Sequence, residues 1–282
     1  MTDLHTLTAA ELLAQFASRQ LAPIDYYDQL LAHIDRWEPQ INALYAFDPQ
    51  QVRQPNGALD GIPVTLKELI ATEGVPIPLG SAATRLTPAL KDAPPAARMR
   101  EAGAIILAKT TNPDFGMLSS GLSSFHGVTR NPWNTANNTG GSSSGAAAAA
   151  AAGYGPLHVG TDIGGSVRLP AAWCGLVGFK PTLGRIPIDP YYTGRAAGPM
   201  TRTVDDCVLL MQHLARPDAR DATSLPPLTT AWSNQPLSVK GLRVGLMLEP
   251  GVGMQPEGFV CEAVEQAARL FEAHGAKVTL IP

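Results

Sequence analysis

The chain's candidate chemistry starts at a serine. Residues Gly160–Ala171 read GTDIGGSVRLPA and place Ser166 directly behind two glycines and ahead of an arginine and a proline. Residues without side chains let the backbone turn sharply and bring bare N–H groups close to something small. A hydroxyl beside such donors is what acyl transfer uses, a nucleophile next to an oxyanion hole. Asp162 and Arg168 flank the serine and are expected to form a buried ion pair that fixes the turn.

A nucleophilic serine needs a base. Lys67 closes the apolar run Gly61-Ile-Pro-Val-Thr-Leu-Lys67, so its amine is positioned to point inward. Burial disfavours the charged form, and a neutral amine acts as a general base. The plainer alternatives are a strand-end lysine reaching water or pairing with Glu68. His126 and His158 are alternative bases for a Ser-His-Asp arrangement, but neither has a recognisable context. A third element, Thr139-Gly-Gly-Ser-Ser-Ser-Gly145, runs into the alanines Ala146–Ala152. It lacks the Gly-Lys-Ser/Thr ending of a nucleotide-binding loop. Gly141–Gly145 also matches GxSxG, a weak nucleophile-elbow signal that would make Ser143 the nucleophile of an esterase. The small residues predict a buried helix start whose serine hydroxyls need partners.

These residues must be carried by a folded frame, and the 282-residue length suffices for one large or two small domains. A hydrophobic fraction of 45% with 16% charged residues fits a soluble globular chain. The net charge of −3 without a dense basic run argues against nucleic acid as a partner. No apolar run is long enough to span a membrane. The N-terminus lacks the pattern of a signal peptide, so the cytoplasm is the expected location. Cys174, Cys207 and Cys261 lie far apart with no metal-ligand spacing, and read as buried thiols in a reducing compartment. No metal and no cofactor are expected.

Helix and strand signals alternate along the chain. Thr8-Ala-Ala-Glu11 is a capping box that opens a helix reaching about Ser18. Pro23 opens a second helix with Ile24, Tyr27, Leu30, Leu31 and Ile34 on one face. Pro49–Gly57 reads as a surface connection. Ile62–Leu66, Ala104–Ala108, Leu157–Gly160 and Leu176–Phe179 read as strands, and Asp92 is expected to cap a helix that ends at Gly103. Thr203 caps another helix carrying Val208, Leu209, Leu210 and Leu214. Asp218–Pro236 reads as an exposed excursion. A strand at Leu242–Met247, a helix from about Phe259 to Ala273 and a strand at Lys277–Ile281 form a βαβ-like unit. The pattern predicts an α/β fold with a mixed, mostly parallel central sheet flanked by helices. One domain is expected over 1–282, with N-terminal helices at about 8–37, a catalytic core at about 60–215 and the βαβ-like unit at about 241–282.

Taken together, the Lys67 segment, the Gly/Ser loop and the Ser166 motif resemble the amidase signature family. The family's order is a GIPxxxK segment, a GGSS-rich loop before a small-residue helix, and GxDxGGS[IV]RxPA. Further stretches agree: Ala108-Lys-Thr-Thr-Asn-Pro113, Arg130-Asn-Pro-Trp133, Gly175–Pro181 and Gly198–Asp205. Glu68 stands where an aspartate is common, and Ser144 and Ala146 alter the usual GGSSGGS. The chain is short against the pattern, so the implied fold is C-terminally incomplete.

The resemblance implies a hydrolase that cleaves a carbon–nitrogen amide bond of a small carboxamide. Ser166 would be the nucleophile, Ser142 the bridging serine, often preceded by a cis peptide in this family, and Lys67 the base. The backbone N–H groups of Ile163, Gly164, Gly165 and Ser166 would receive the oxyanion. Met117 would line the acyl site, with Asp162, Arg168 and Ser143 in support. Three rivals stay open: a glutaminase-type subunit of a tRNA-dependent amidotransferase, the Ser143 esterase, and an inactive amidase-derived chain. A homodimer is left open.

Overall fold

A computed structural model describes residues 4–47 and 57–281. The expected connection at Pro49–Gly57 lies, but for its last residue, outside the described residues. The chain divides into two compact units, 1–233 and 234–282.

The first unit opens with a 3₁₀ turn, Leu4–Thr6, then α1 (Ala9–Ala17) and α2 (Pro23–Ile41). The capping box forms as expected: Thr8 Oγ1 accepts from the Glu11 amide, and the Glu11 carboxylate accepts from the Thr8 amide. In α2 the buried face is Tyr26, Tyr27, Leu30, Ile34 and Ile41. Ile24, expected on that face, is instead exposed, because the stripe through Leu30 and Ile34 runs back to Tyr26 in the first turn.

β1 (Leu44–Tyr45), β2 (Pro63–Lys67), α3 (Pro94–Glu101) and β3 (Ile105–Thr110) follow. Asp92 does not cap α3. The N-cap is Ala93, and the first helical positions are Pro94 and Pro95, which have no N–H to donate. The Asp92 carboxylate accepts from the Glu73 amide and Arg100 Nε instead. Two small ribbons, β4 (Leu122–Ser123) with β5 (Gly127–Val128) and β6 (Arg130–Asn131) with β7 (Asn134–Asn138), lead into α4 (Ser144–Ala151). Then come β8 (Leu157–Asp162), α5 (Arg168–Trp173), β9 (Val177–Gly178), β10 (Ala196–Thr201) and α6 (Val204–Leu214). Thr203 caps α6 through the Asp206 amide.

Six strands form one mixed sheet in the order β1-β3-β2-β8-β10-β9. Its centre is parallel: β2 runs alongside β3 and β8, while β1, β10 and β9 join antiparallel. A strand shielded on both faces is mainly apolar, and β2, β3 and β8 are buried at every position, their polar residues included. The alanine helix α4 is buried from Ser144 through Ala150, and packs against β2, β3, β8 and β10. Methyl side chains are what permit that close approach. Gly160, on β8, meets the loop before α4: a Cβ there would lie 2.6 Å from Ser143 Oγ.

The segment expected as an exposed excursion is pinned at its start. Asp221 accepts from the Ile188 amide, Arg220 Nη1 donates to Asp92 O, and the Leu225 amide donates to Gly184 O. The second unit pairs β11 (Arg243–Leu246) parallel with β12 (Lys277–Leu280), joined by α7 (Gly258–Ala273). Cys174 and Cys207 are buried free thiols as expected, whereas Cys261, on α7, is only half-buried.

Candidate active site

The site lies beyond the carboxyl ends of the parallel strands, where open α/β sheets leave a crevice. β2 delivers Lys67 and β8 delivers Asp162, after which the chain turns through Ile163-Gly-Gly-Ser166 into α5. Between them comes the loop that starts α4, with a cis peptide at Gly141–Ser142.

Lys67 is fully buried, and its Nζ donates to Ser142 Oγ at 2.7 Å. Its amine does not pair with Glu68. That carboxylate accepts from the Gly80 amide and contacts His126 Nε2. Burial, reinforced by the charge of Arg195, lowers the Lys67 pKa to about 7 against the opposing pull of Glu68 and Asp162. Near neutral pH a substantial fraction of the amine is therefore neutral and able to accept a proton.

Ser142 and Ser166 line one cavity of about 210 Å³ together with Leu69, Phe115, Gly116, Met117, Thr161, Ile163, Tyr192 and Arg195. The backbone ties the two serine segments together, since the Ser143 amide donates to Ser166 O at 3.1 Å. Ser143 itself is fully buried and turned away, its hydroxyl clamped between the carbonyl and the amide of Thr161. That engagement removes the basis for a Ser143 nucleophile. Ser144, also buried, donates to Thr111 O.

The turn at Ser166 is organised by Asp162. Its carboxylate accepts from the amides of Gly165, Val167 and Arg168 and from Arg168 Nε and Nη2. Burial alone would raise this carboxyl, but the Arg168 bonds and the three amides outweigh it and hold the pKa down to about 2. The expected buried pair is buried on one side only: the Asp162 side chain is fully enclosed, while that of Arg168 is 51% exposed. The expected oxyanion donors need one correction. The Gly165 N–H, at a φ of +120° that favours glycine, is spent on Asp162. The Ile163, Gly164 and Ser166 amides have no acceptor among the described residues.

Neither histidine joins the cavity. His158 is buried on β8 between Thr65 Oγ1 and Gly155 O, and burial drives its pKa down to about 3. His126 is held against Glu68. Among the described residues no cluster of His, Cys, Asp or Glu could hold a metal ion, and no helix is long and apolar enough to cross a membrane. Sequence reading missed Tyr192 and Arg195. They lie in Tyr191-Tyr-Thr-Gly-Arg195, just before β10, and no periodicity or motif marks them.

The chain is similar to known proteins over nearly its whole length. The model of the Amidase family matches residues 28–281. An acylamidase of Rhodococcus erythropolis is 38% identical over 296 residues, covering 98% of this chain and 62% of its own length. A glutamyl-tRNA(Gln) amidotransferase subunit from Pseudomonas putida (strain W619) is 37% identical over 293 residues, covering 98% of this chain and 60% of its own. The crystal structure of a bacterial aryl acylamidase of the amidase signature enzymes superposes with a TM-score of 0.91 at 32% identity, covering 99% of this chain and 61% of that one. The chain thus spans about three-fifths of the length of these relatives.

Proposed function

The chain belongs to the amidase family, and on that premise we propose that it hydrolyses the carbon–nitrogen bond of a small carboxamide with Ser166 as nucleophile, Ser142 as proton bridge and Lys67 as base. The observation that carries this reading is the Lys67–Ser142 hydrogen bond at 2.7 Å, made by a fully buried lysine at the wall of the cavity that Ser166 also lines.

Neutral Lys67 takes the Ser142 proton as Ser142 takes that of Ser166. The Ser166 oxygen attacks the amide carbonyl, and the amides of Ile163, Gly164 and Ser166 receive the negative oxygen. The carbon–nitrogen bond breaks, and the proton returns through Ser142 to the leaving amine. Water, deprotonated by the same relay, then attacks the acyl-enzyme, releasing the carboxylic acid and restoring Ser166. No cofactor enters these steps. Three free cysteines fit a reducing compartment, and the cytoplasm is the proposed location.

A second reading, the glutaminase-type subunit of an amidotransferase, rests on the 37% identity to the Pseudomonas putida protein. Such a chain works with partner proteins. Ammonia release from glutamine, measured against release from simple aliphatic and aryl carboxamides, separates the two: a preference for glutamine moves the assignment to the amidotransferase.

A fluorophosphonate probe is expected to label Ser166, and Ser166→Ala to lose both labelling and hydrolysis, the latter by a factor of about 10³ or more. Unchanged hydrolysis in Ser166→Ala sinks the proposed nucleophile.

A further inference from the structure

Arg195 exchanges no proton in the relay, although its charge helps hold the Lys67 pKa down, and it sits in the cavity wall. Of the ten lining residues it alone carries a charge. It is half-buried, and among the described residues no carboxylate lies within ion-pair distance of it. Asp162, the nearby acid, is committed to Arg168 and the turn amides. Arg195 is not loose, however. Its Nη2 donates to Pro190 O at 2.7 Å, and its guanidinium lies 5.9 Å from the centre of the Tyr192 ring. The backbone fixes its place too: Ala196 pairs with Asp162 across β10 and β8, so Arg195 stands beside Ile163, one of the oxyanion donors. Its buried Nε has no hydrogen-bond partner among the described residues.

The open donor is instead Nη1, which makes no hydrogen bond among the described residues, and a fixed guanidinium with such a donor at the wall of a partly desolvated cavity has an unpaired cost that a bound anion would remove. We propose that Arg195 is a specificity-determining residue that binds a carboxylate on the substrate, so that the amide hydrolysed is a monoamide of a small dicarboxylic acid. The inference rests on the amidase reading of the same cavity. The planar fork of arginine suits a carboxylate, which it grips with two parallel bonds. A single cation with no second one beside it matches one negative charge better than a phosphate dianion. The volume of about 210 Å³ falls below the usual range for sites that enclose drug-sized ligands, which agrees with a short acyl chain.

The test separates binding from turnover. The full chain carrying Ser166→Ala is titrated by calorimetry with malonamate, succinamate and glutaramate, each against its neutral diamide. At least one monoamide is expected to bind about 10- to 100-fold tighter than its diamide. Adding Arg195→Met is expected to abolish that preference, and Arg195→Lys to restore part of it. Equal affinity for acid and diamide across the series, no binding of any acid, or a preference untouched by Arg195→Met would overturn the proposal. Turnover by the unaltered chain is read separately. Hydrolysis of neutral amides without any carboxylate preference leaves the amidase reading standing and removes this one. A carboxylate preference in binding without hydrolysis of any amide does the reverse.

Discussion

Two lysines end two neighbouring strands, and they teach different things. Lys67 closes β2 and Lys109 lies one residue from the end of β3. Both follow apolar runs, both are buried, and burial lowers both pKa values to about 7. The register separates them. Leu66 pairs with Lys109 and Lys67 with Thr110, so the two amines leave the sheet on opposite faces. Lys67 meets Ser142 at the cavity. Lys109 meets the carbonyl of Ile70 and the hydroxyl of Thr72, and neither it nor those partners line the cavity. A perturbed pKa is thus shared by a candidate base and a structural strut. What distinguishes them is the partner, a serine hydroxyl that lines a cavity for Lys67 and groups away from it for Lys109.

The sharpest way to break this comparison is to remove each amine in turn while keeping its length. Lys67→Met is expected to cut amide hydrolysis by about 10³-fold or more while the chain stays folded, because a methylene stem still fills the core. A loss of less than tenfold would make Lys67 a strut like its neighbour.

The pH profile sharpens the same contrast. Lys67 must be neutral to act, and its pKa is about 7. Hydrolysis is therefore expected to reach a plateau above that value and to fall about tenfold per pH unit below it. A kcat/KM that stays flat down to pH 5 would remove lysine from the relay.

Lys109→Met should move stability rather than rate. It takes the ammonium donor from the Thr72 hydroxyl and from the Ile70 carbonyl, which keeps only the longer Thr72 bond, costing about 1–3 kcal/mol in denaturant melts. It should also flatten one part of the stability–pH curve. Unfolded, a lysine amine keeps its proton up to about pH 10.4, whereas the folded Lys109 releases it above about 7. Stability of the unaltered chain therefore rises with pH through that window, and Lys109→Met loses its share of the rise. A fall in kcat/KM to match that of Lys67→Met would erase the distinction.

How much of this was legible beforehand depends on locality. Lys67 could be read as an inward amine because Ile62, Val64 and Leu66 mark the strand it ends. Ser166 and Ser142 announce themselves through contiguous glycines and serines, and the Thr8 and Thr203 caps through their i+3 partners. Arg195 could not be read that way. Its place depends on β10, whose Ala-Ala-Gly-Pro-Met-Thr composition carries weak strand propensity. Pro199 even sits inside the strand, and what makes it a strand is its long-range pairing with β8 and β9. The loss of the Gly165 amide to Asp162 is by contrast local, an aspartate accepting from the amide three residues on, and it stays hidden because the glycine pair reads as an oxyanion turn. Non-locality hid the opposite facing of Lys67 and Lys109, which needs the register between two strands that lie far apart in the chain.

The smallest predicted effect is at Thr72. It is buried, accepts from Lys109 at 2.8 Å and donates to Ile70 O at 3.3 Å. Thr72→Val keeps the shape and removes the hydroxyl, so one acceptor of the Lys109 amine disappears while the Ile70 carbonyl remains. About 1 kcal/mol of stability should go with it, with kcat/KM and its acid limb unchanged. If the acid limb of hydrolysis moves in Thr72→Val, the two faces of the sheet are electrostatically coupled. Lys109 would then act on Lys67 through the sheet instead of standing apart from it.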